Sequence, residues 1–428
     1  MNVHGSARFV VLGAMSLLYF LLSAGTFNAL GVVLPVMVPA LGMNWAQAGL
    51  GFTLLGVATG IASLVPAILI RRIGVSLTLI AGAILLAIGF SCLMLARDAL
   101  PYHIGTTLIG FGYCFCGTVA GVHVISGLFE RPSTPIGIYF TLGGAGSVAG
   151  PLVFVAVQSW IGDWRAFWLI CTVLALVAGA FAAIVTRGNR VKRGGDDATA
   201  VNPADWSVRE ALATPQYWLI VASYSICLTV NITIHSFAAQ HFSERGLSHE
   251  AAASVISFGA LISTIAAASA GVIGEKVHAR WLMLGSQAAM AIALAAIMLP
   301  QNWATLGTYA VMIGLGISFN YVSTAVLLRN YFGARANLVL YSTMCMVSTL
   351  AAAGPVIGGY VRDQTGHFLP VFATLAAVTA ALIVVVLAMR PPTRANEAGG
   401  EPEQQEHERG AHYAPPLAED GARHAQLG

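Results

Sequence analysis

The chain has 428 residues, of which 57% are hydrophobic and 9% charged, against roughly 25% charged in an ordinary soluble domain. A soluble globule of this size cannot cover its surface with so few charges, so the composition specifies an integral membrane protein. The net charge of +3 says little by itself; no nucleic-acid partner is expected, and the information lies in how the charges are distributed.

Taken in chain order, the apolar runs predict twelve spans at about 9–39, 48–70, 76–96, 103–129, 136–160, 165–186, 216–242, 250–274, 281–300, 303–332, 337–361 and 368–389. Each can cross a hydrocarbon core, which needs about twenty residues. The first run is far longer than a signal-peptide core and is read as a retained span. It carries Tyr19, Ser23 and Asn28. The fourth carries His123 within GTVAGVHVISG, and the fifth carries GSVAGP with Gly146, Gly150 and Pro151.

The longest polar interruption, 187–216, divides the chain into six spans plus six. In the seventh span, Asn231 and His235 lie four residues apart, so a helix stacks them on one face, with Tyr224 and Cys227 on roughly the same stripe. The tenth span carries SFNYVST with Asn320 and Tyr321, and the eleventh carries Gly354, Pro355 and Gly358. The six cysteines all fall within apolar runs without metal-ligand spacing and read as small buried hydrophobes.

Punctuation repeats between the halves. Gly150-Pro151 returns 204 residues later as Gly354-Pro355, Arg71-Arg72 corresponds to Glu275-Lys276, and Arg131 to Arg335. The expected fold is an all-α membrane protein whose twelve transmembrane helices form two pseudo-symmetric six-helix bundles. The predicted organisation is an N-terminal bundle at 1–186, a cytoplasmic linker at 187–215, a C-terminal bundle at 216–390 and a disordered cytoplasmic tail at 391–428, polar and rich in Glu, Gln, Pro and Gly. With both termini inside, fifteen Lys and Arg fall on the cytoplasmic side. Four (Arg97, Arg165, Arg245 and Arg362) fall outside, leaving aside two far out on the tail. That bias sets the orientation.

With these features the chain resembles the major facilitator superfamily over nearly its whole length, roughly 8–390. The loop GVIGEKVHAR is similar to the family's glycine, acid and base motif, and GSVAGP and GPVIGGY resemble its glycine-proline helix-packing motif. RNYFGARANLVLYSTM, followed by GPVIGGYVRDQTGHF, and SVREALATPQYWLI resemble the monocarboxylate-transporter and oxalate:formate-antiporter branch. The first-half loop AILIRRIGVS departs from the motif by placing Arg71 where the family has an acid, which implies a one-sided charge latch. No Arg or Lys lies within the eighth or eleventh span, which disfavours a dianion such as oxalate.

The resemblance implies that the first, fourth, seventh and tenth spans line a central cavity, and those spans hold the deep polar groups. Tyr19, Asn28, His123, Asn231, His235, Asn320 and Tyr321 are the candidate substrate-binding residues. His123 and His235 are also the candidate proton carriers, because an imidazole titrates near neutrality. An unpaired amide or imidazole in hydrocarbon costs about 2–7 kcal/mol, so these groups face a cavity or hydrogen-bond neighbouring helices. Arg71, Arg72, Arg131, Glu275, Lys276 and Arg335 are candidate gate latches or positive-inside anchors. Gly146, Gly150, Pro151, Gly354, Pro355 and Gly358 are helix-packing and bending devices.

No Asp or Glu lies mid-span, against an embedded carboxylate relay and against cationic drugs. No phosphate-cradling loop, metal site or catalytic triad is present, so secondary transport with no cofactor is expected, and no enzyme activity. The reading is alternating-access transport of a small organic anion, a monocarboxylate, across the inner membrane by proton symport or exchange. Its partners are the solute, protons and the bilayer, and a monomer is expected. Efflux of a hydrophobic or neutral compound is the runner-up. A non-transporting solute sensor that signals through its tail is a third reading.

Overall fold

A computed structural model describes residues 3–129, 133–187 and 206–392. Arg131, most of the central linker (188–205) and the tail from 393 onward fall outside the described residues.

Among the described residues all regular structure is helical. The first span is α1 (Val3–Gly25) and α2 (Phe27–Ala40), broken at Thr26, where φ is −110° and ψ −128°. The second is α3 (Trp45–Ile61), carried through a 3-10 turn at Ala62–Leu64 into α4 (Val65–Ile73). Pro66 follows that turn and removes a helix donor, so the predicted single span is two pieces. Next come α5 (Val75–Leu95), then α6 (Ala99–Cys116) and α7 (Thr118–Leu128), which restart across Gly117. The first half ends with α8 (Ser133–Ile161) and α9 (Trp164–Arg187).

The second half opens with a short α10 (Val208–Leu212), closed at its start by a reciprocal Ser207–Glu210 capping box. Then follow α11 (Pro215–Glu244), α12 (His249–Lys276) and α13 (Ala279–Met298). The next stretch, α14 (Trp303–Ser348), is two helices meeting at Gly333, whose φ of 79° favours glycine. A 3-10 stretch at Thr349–Ala353 leads into α15 (Gly354–Thr365), and α16 (Leu369–Ala388) ends the helical body.

Among the described residues eleven helical stretches are long and apolar enough to cross a membrane, and Trp45–Ile61 is a shorter apolar helix. With α4 continuing that shorter helix, the fold has its twelve spans. Large apolar residues such as Ile84, Val177, Ile184, Ile265 and Val384 are exposed. On a soluble protein such a belt would be an aggregation hazard, whereas here it is the lipid-facing surface.

The packing repeats between halves. In the first, α5 packs on α9 and α6, α3 on α6, and α1 on α8. In the second, α13 packs on α16 and α14, α12 on α14, and α11 on α15. The halves meet along two crossed seams, α3 with α15 and α8 with α12, and α2 also packs on α11.

Small residues permit the closest approaches. A methyl added at Gly146 or Gly150 would lie 2.1 Å from the carbonyl oxygen of Phe20 or Ala24 on α1. Gly354 and Gly358 face α11 instead, at Thr233 and Phe237. Pro151 lies inside α8, and Pro355 in the first turn of α15.

Candidate functional site

A cavity of about 1130 Å³ lies between the halves. Its deep end is formed by Asn28, Ile234 and Ile256, and its lining continues to Ser63, Gly137, Ala268 and Tyr341 near the end at which α1 begins and α16 finishes, the terminus end. At that end α4 packs on α5, α6 and α7, and α7 on α1, α6 and α8, all within the first half. The cross-half seams lie toward the opposite end, so the cavity opens on the side of the termini.

The structure brings Tyr19, Asn28, Asn231, His235 and Tyr321 to this cavity. Asn28 Nδ2 donates to the Ser147 carbonyl at 3.2 Å, tying α2 to α8. Asn231 Nδ2 donates to the Tyr321 hydroxyl at 3.1 Å, while its Oδ1 is buried without a partner among the described residues. His235 is half-buried on the wall one turn from Asn231. Its helix is seated closely: Gly31 of α2 faces the His235 carbonyl, leaving no space for a side chain.

Two expected ligands are not on this wall. His123 occupies an exposed position on α7 outside the cavity lining. The helix restarts after Gly117, so the face chosen by α6 does not extend to His123. Asn320 is fully buried, and its Nδ2 donates to the Ser223 and Ser286 hydroxyls at 3.2 and 3.3 Å. Gln287 Nε2 also donates to Ser223 Oγ. Asn320 is thereby a tie among α11, α13 and α14, since a buried amide is held by the hydrogen bonds that satisfy it.

Sequence reasoning missed half of the wall. The second, fifth, eighth and eleventh spans also contribute, through Thr59, Thr141, Ser263, Thr264 and Ser348. Ser263 and Ser318 hydrogen-bond each other at 2.8 Å, joining α12 to α14. Single Ser and Thr residues in an apolar run carry no positional signal, because they can bond their own helix backbone.

Tyr19 and Tyr321 were expected here, but Tyr113 and Tyr341 were missed for a related reason. Tyr113 lies 6.4 Å from Tyr19 and 6.0 Å from Phe27 between ring centroids, and Tyr19 stacks on Tyr139 at 4.6 Å. Across the cavity, Tyr224 lies 5.6 Å from Tyr321 and 6.5 Å from Tyr341. Among the described residues, no Asp, Glu, Lys or Arg lines the cavity. Its chemistry is aromatic faces, hydroxyls, the amides of Asn28 and Asn231 and one imidazole.

Of the candidate gate residues, Arg72 is exposed near the end of α4. Arg131 and the side chains of Arg71, Glu275, Lys276 and Arg335 lie outside what the structure describes.

The chain resembles solved transporters in fold. A variant of the nucleoside transporter NupG superposes with a TM-score of 0.74 at 13% identity, covering 89% of this chain and 99% of that one. A bacterial homolog of the human lysosomal transporter Spinster, inward-facing and unoccupied, gives 0.67 at 18% identity, covering 89% and 95%. Comparison with curated protein sequences gives no match. The Major Facilitator Superfamily family model matches residues 15–278 and again 225–420. Twelve spans, crossed seams and a cavity between duplicated halves agree with that match: the chain belongs to the Major Facilitator Superfamily and is a multi-pass membrane transporter.

Proposed function

We propose that this transporter carries a small organic solute as an electrically neutral unit, by alternating access between the two bundles. The observation that carries this reading is the cavity wall without a fixed charge among the described residues. An ion that enters a low-dielectric chamber without a countercharge loses several kcal/mol of hydration. An uncharged solute with a ring and a few hydrogen-bonding groups loses far less, and it regains contacts from Tyr19, Tyr113, Asn231 and Tyr321.

The excess of Lys and Arg in the loops at the terminus end supports an orientation with both termini in the cytoplasm. On that orientation the described conformation is open inward. The decisive experiment is uptake into proteoliposomes under an imposed potassium diffusion potential. A nucleoside, the class named for one structural neighbour, a neutral phenol and a monocarboxylate form the probe panel. Flux of the accepted solute is expected to ignore the potential; accumulation driven by the potential would overturn the reading.

A second reading is favoured by His235 on the wall: a monocarboxylate carried together with a proton on the imidazole. That pair is also neutral. The stretches 207–220 and 329–344 support it through their similarity to the monocarboxylate branch. Trp206, just ahead of α10, packs on Phe332 with ring centroids 5.7 Å apart, where these two stretches come together. A pH gradient drives uptake under this reading and leaves a permanently neutral solute unaffected.

A further inference from the structure

The first turn of a helix leaves backbone N–H groups with no intrahelical acceptor. In α3 these belong to Trp45, Ala46 and Gln47, because the N–H of Ala48 already reaches the Asn44 carbonyl at 3.1 Å. Gln47 N–H is taken by the Asn44 side chain at 2.8 Å, the usual local cap. The other two donors go to the opposite half. Trp45 N–H donates to Asp363 Oδ1 at 3.1 Å and Ala46 N–H to Asp363 Oδ2 at 2.8 Å. Asp363 lies near the end of α15, so a carboxylate of the second bundle completes the cap of a helix in the first.

We propose that Asp363 is the latch that holds the cavity shut at the end opposite the termini, and that its release from α3 is the step that opens that end. The surroundings fit a latch. Gly49 faces the Pro355 carbonyl and Gly359 the Trp45 carbonyl, with added methyls at 2.2 and 2.1 Å, so the two backbones are in contact along the seam. Arg362 pairs with Glu244 of α11 at 2.9 Å and lies over the Trp45 ring at 5.6 Å. The Glu244 pair anchors the end of α15 to its own bundle, while the Trp45 contact and Asp363 both reach across.

The carboxylate meets both the donors and the positive end of the α3 dipole. Opening exchanges these contacts for water, so the latch biases the equilibrium without trapping it. The seam between α8 and α12 differs in kind: Gly144 packs on Thr264, and the Phe154 ring meets His249 edge-on at 5.6 Å. One seam is pinned by charge and the other is packed through side chains.

The test places a cysteine at Ile256, which lines the deep end of the cavity. An impermeant maleimide is added to the vesicle face from which native Cys345, near the open end, does not label, and the rate is compared with that of the chain lacking Ile256→Cys. Adding Asp363→Asn is expected to raise labelling on the order of tenfold, the scale of a lost charge-assisted hydrogen bond, while Asp363→Glu stays near the parent rate. Ala46→Pro removes one donor from the other side, at a first-turn position where proline is tolerated, and is expected to act in the same direction. A monodisperse Asp363→Asn protein that labels at the parent rate overturns the proposal. Should that variant not fold, Ala46→Pro labelling at the parent rate overturns it.

Discussion

The duplicated glycine-proline motif has taken different forms in the two halves. In the first, Gly146 and Gly150 press on backbone carbonyls of α1, and α8 runs through Pro151 as one helix. In the second, Gly354 and Gly358 meet side chains of Thr233 and Phe237, and the chain before them winds as a 3-10 stretch beyond the left-handed Gly333. Backbone against backbone leaves nothing to rearrange, whereas side chains can change rotamer. The walls differ in the same sense. The first half offers Tyr19, Phe27 and Tyr113, with Asn28 committed to Ser147; the second offers Asn231, Tyr321 and His235. Rings line both walls, so duplication has left a rigid half facing an adjustable one that carries the imidazole and the Asn231 amide.

The largest expected effect tests the rigidity. Gly150→Ala places a methyl 2.1 Å from the Ala24 carbonyl oxygen, so α1 and α8 must separate. Overpacking of this kind costs about 1–3 kcal/mol or more, and both thermal stability and flux should fall. Gly354→Ala meets Thr233 Oγ1 at 2.6 Å and Thr229 Cγ2 at 2.9 Å, side-chain atoms that can shift where a backbone carbonyl cannot. Alanine also gains about 1 kcal/mol of helix propensity over glycine, so stability should change little. Equal losses in thermal unfolding of the two variants would erase the contrast between halves.

Next in size is the polar wall. Asn231→Ala removes the hydrogen bond to Tyr321 and an amide from the cavity, and initial uptake should fall on the order of tenfold, matching a lost buried hydrogen bond. Asn28→Ala breaks a tie to Ser147 that holds two first-half helices together, so its effect on KM should be small. Asn320→Ala removes two hydrogen bonds from a buried cluster in which Ser223 keeps Gln287 and Ser286 keeps the Met283 carbonyl, and should lower stability by about 1–3 kcal/mol while leaving KM unchanged. A KM rise in Asn320→Ala with intact stability would return that residue to the binding site.

The sequence carried the fold because its signals are additive. Each apolar run, the Lys and Arg bias and the repeated Gly-Pro pairs all point to two six-helix bundles, and twelve spans are what the chain forms. The site was legible only where one side chain was polar enough to need a partner. Asn231 and His235 stood out because they share a face, and both reach the cavity. Asn320 stood out equally and is buried in a side-chain cluster behind it. Burial cost says that an amide must be paired, but not whether the partner is solute or protein. Tyr113 and Tyr341 gave no such signal, since an aromatic ring in an apolar run is as well placed against lipid or core. Asp363 lies just past the predicted eleventh span and gives no signal in the sequence, because its partners are backbone groups 317 and 318 residues away.

The smallest expected effect separates the two readings of the solute. His235→Gln keeps hydrogen-bonding capacity on the polar wall but cannot carry a proton. For a permanently neutral solute, uptake should stay within about twofold of the parent and remain flat across the range in which an imidazole titrates. For a monocarboxylate, the parent should transport faster as pH falls, because the imidazolium pairs with the carboxylate, and His235→Gln should lose that acid stimulation. His123→Gln is the internal control: its exposed position on α7 lies outside the lining, so either chemistry should leave it unchanged. An acid stimulation that survives in His235→Gln and disappears in His123→Gln would move proton carriage from the adjustable half to the rigid one, and with it the asymmetry argued from the walls.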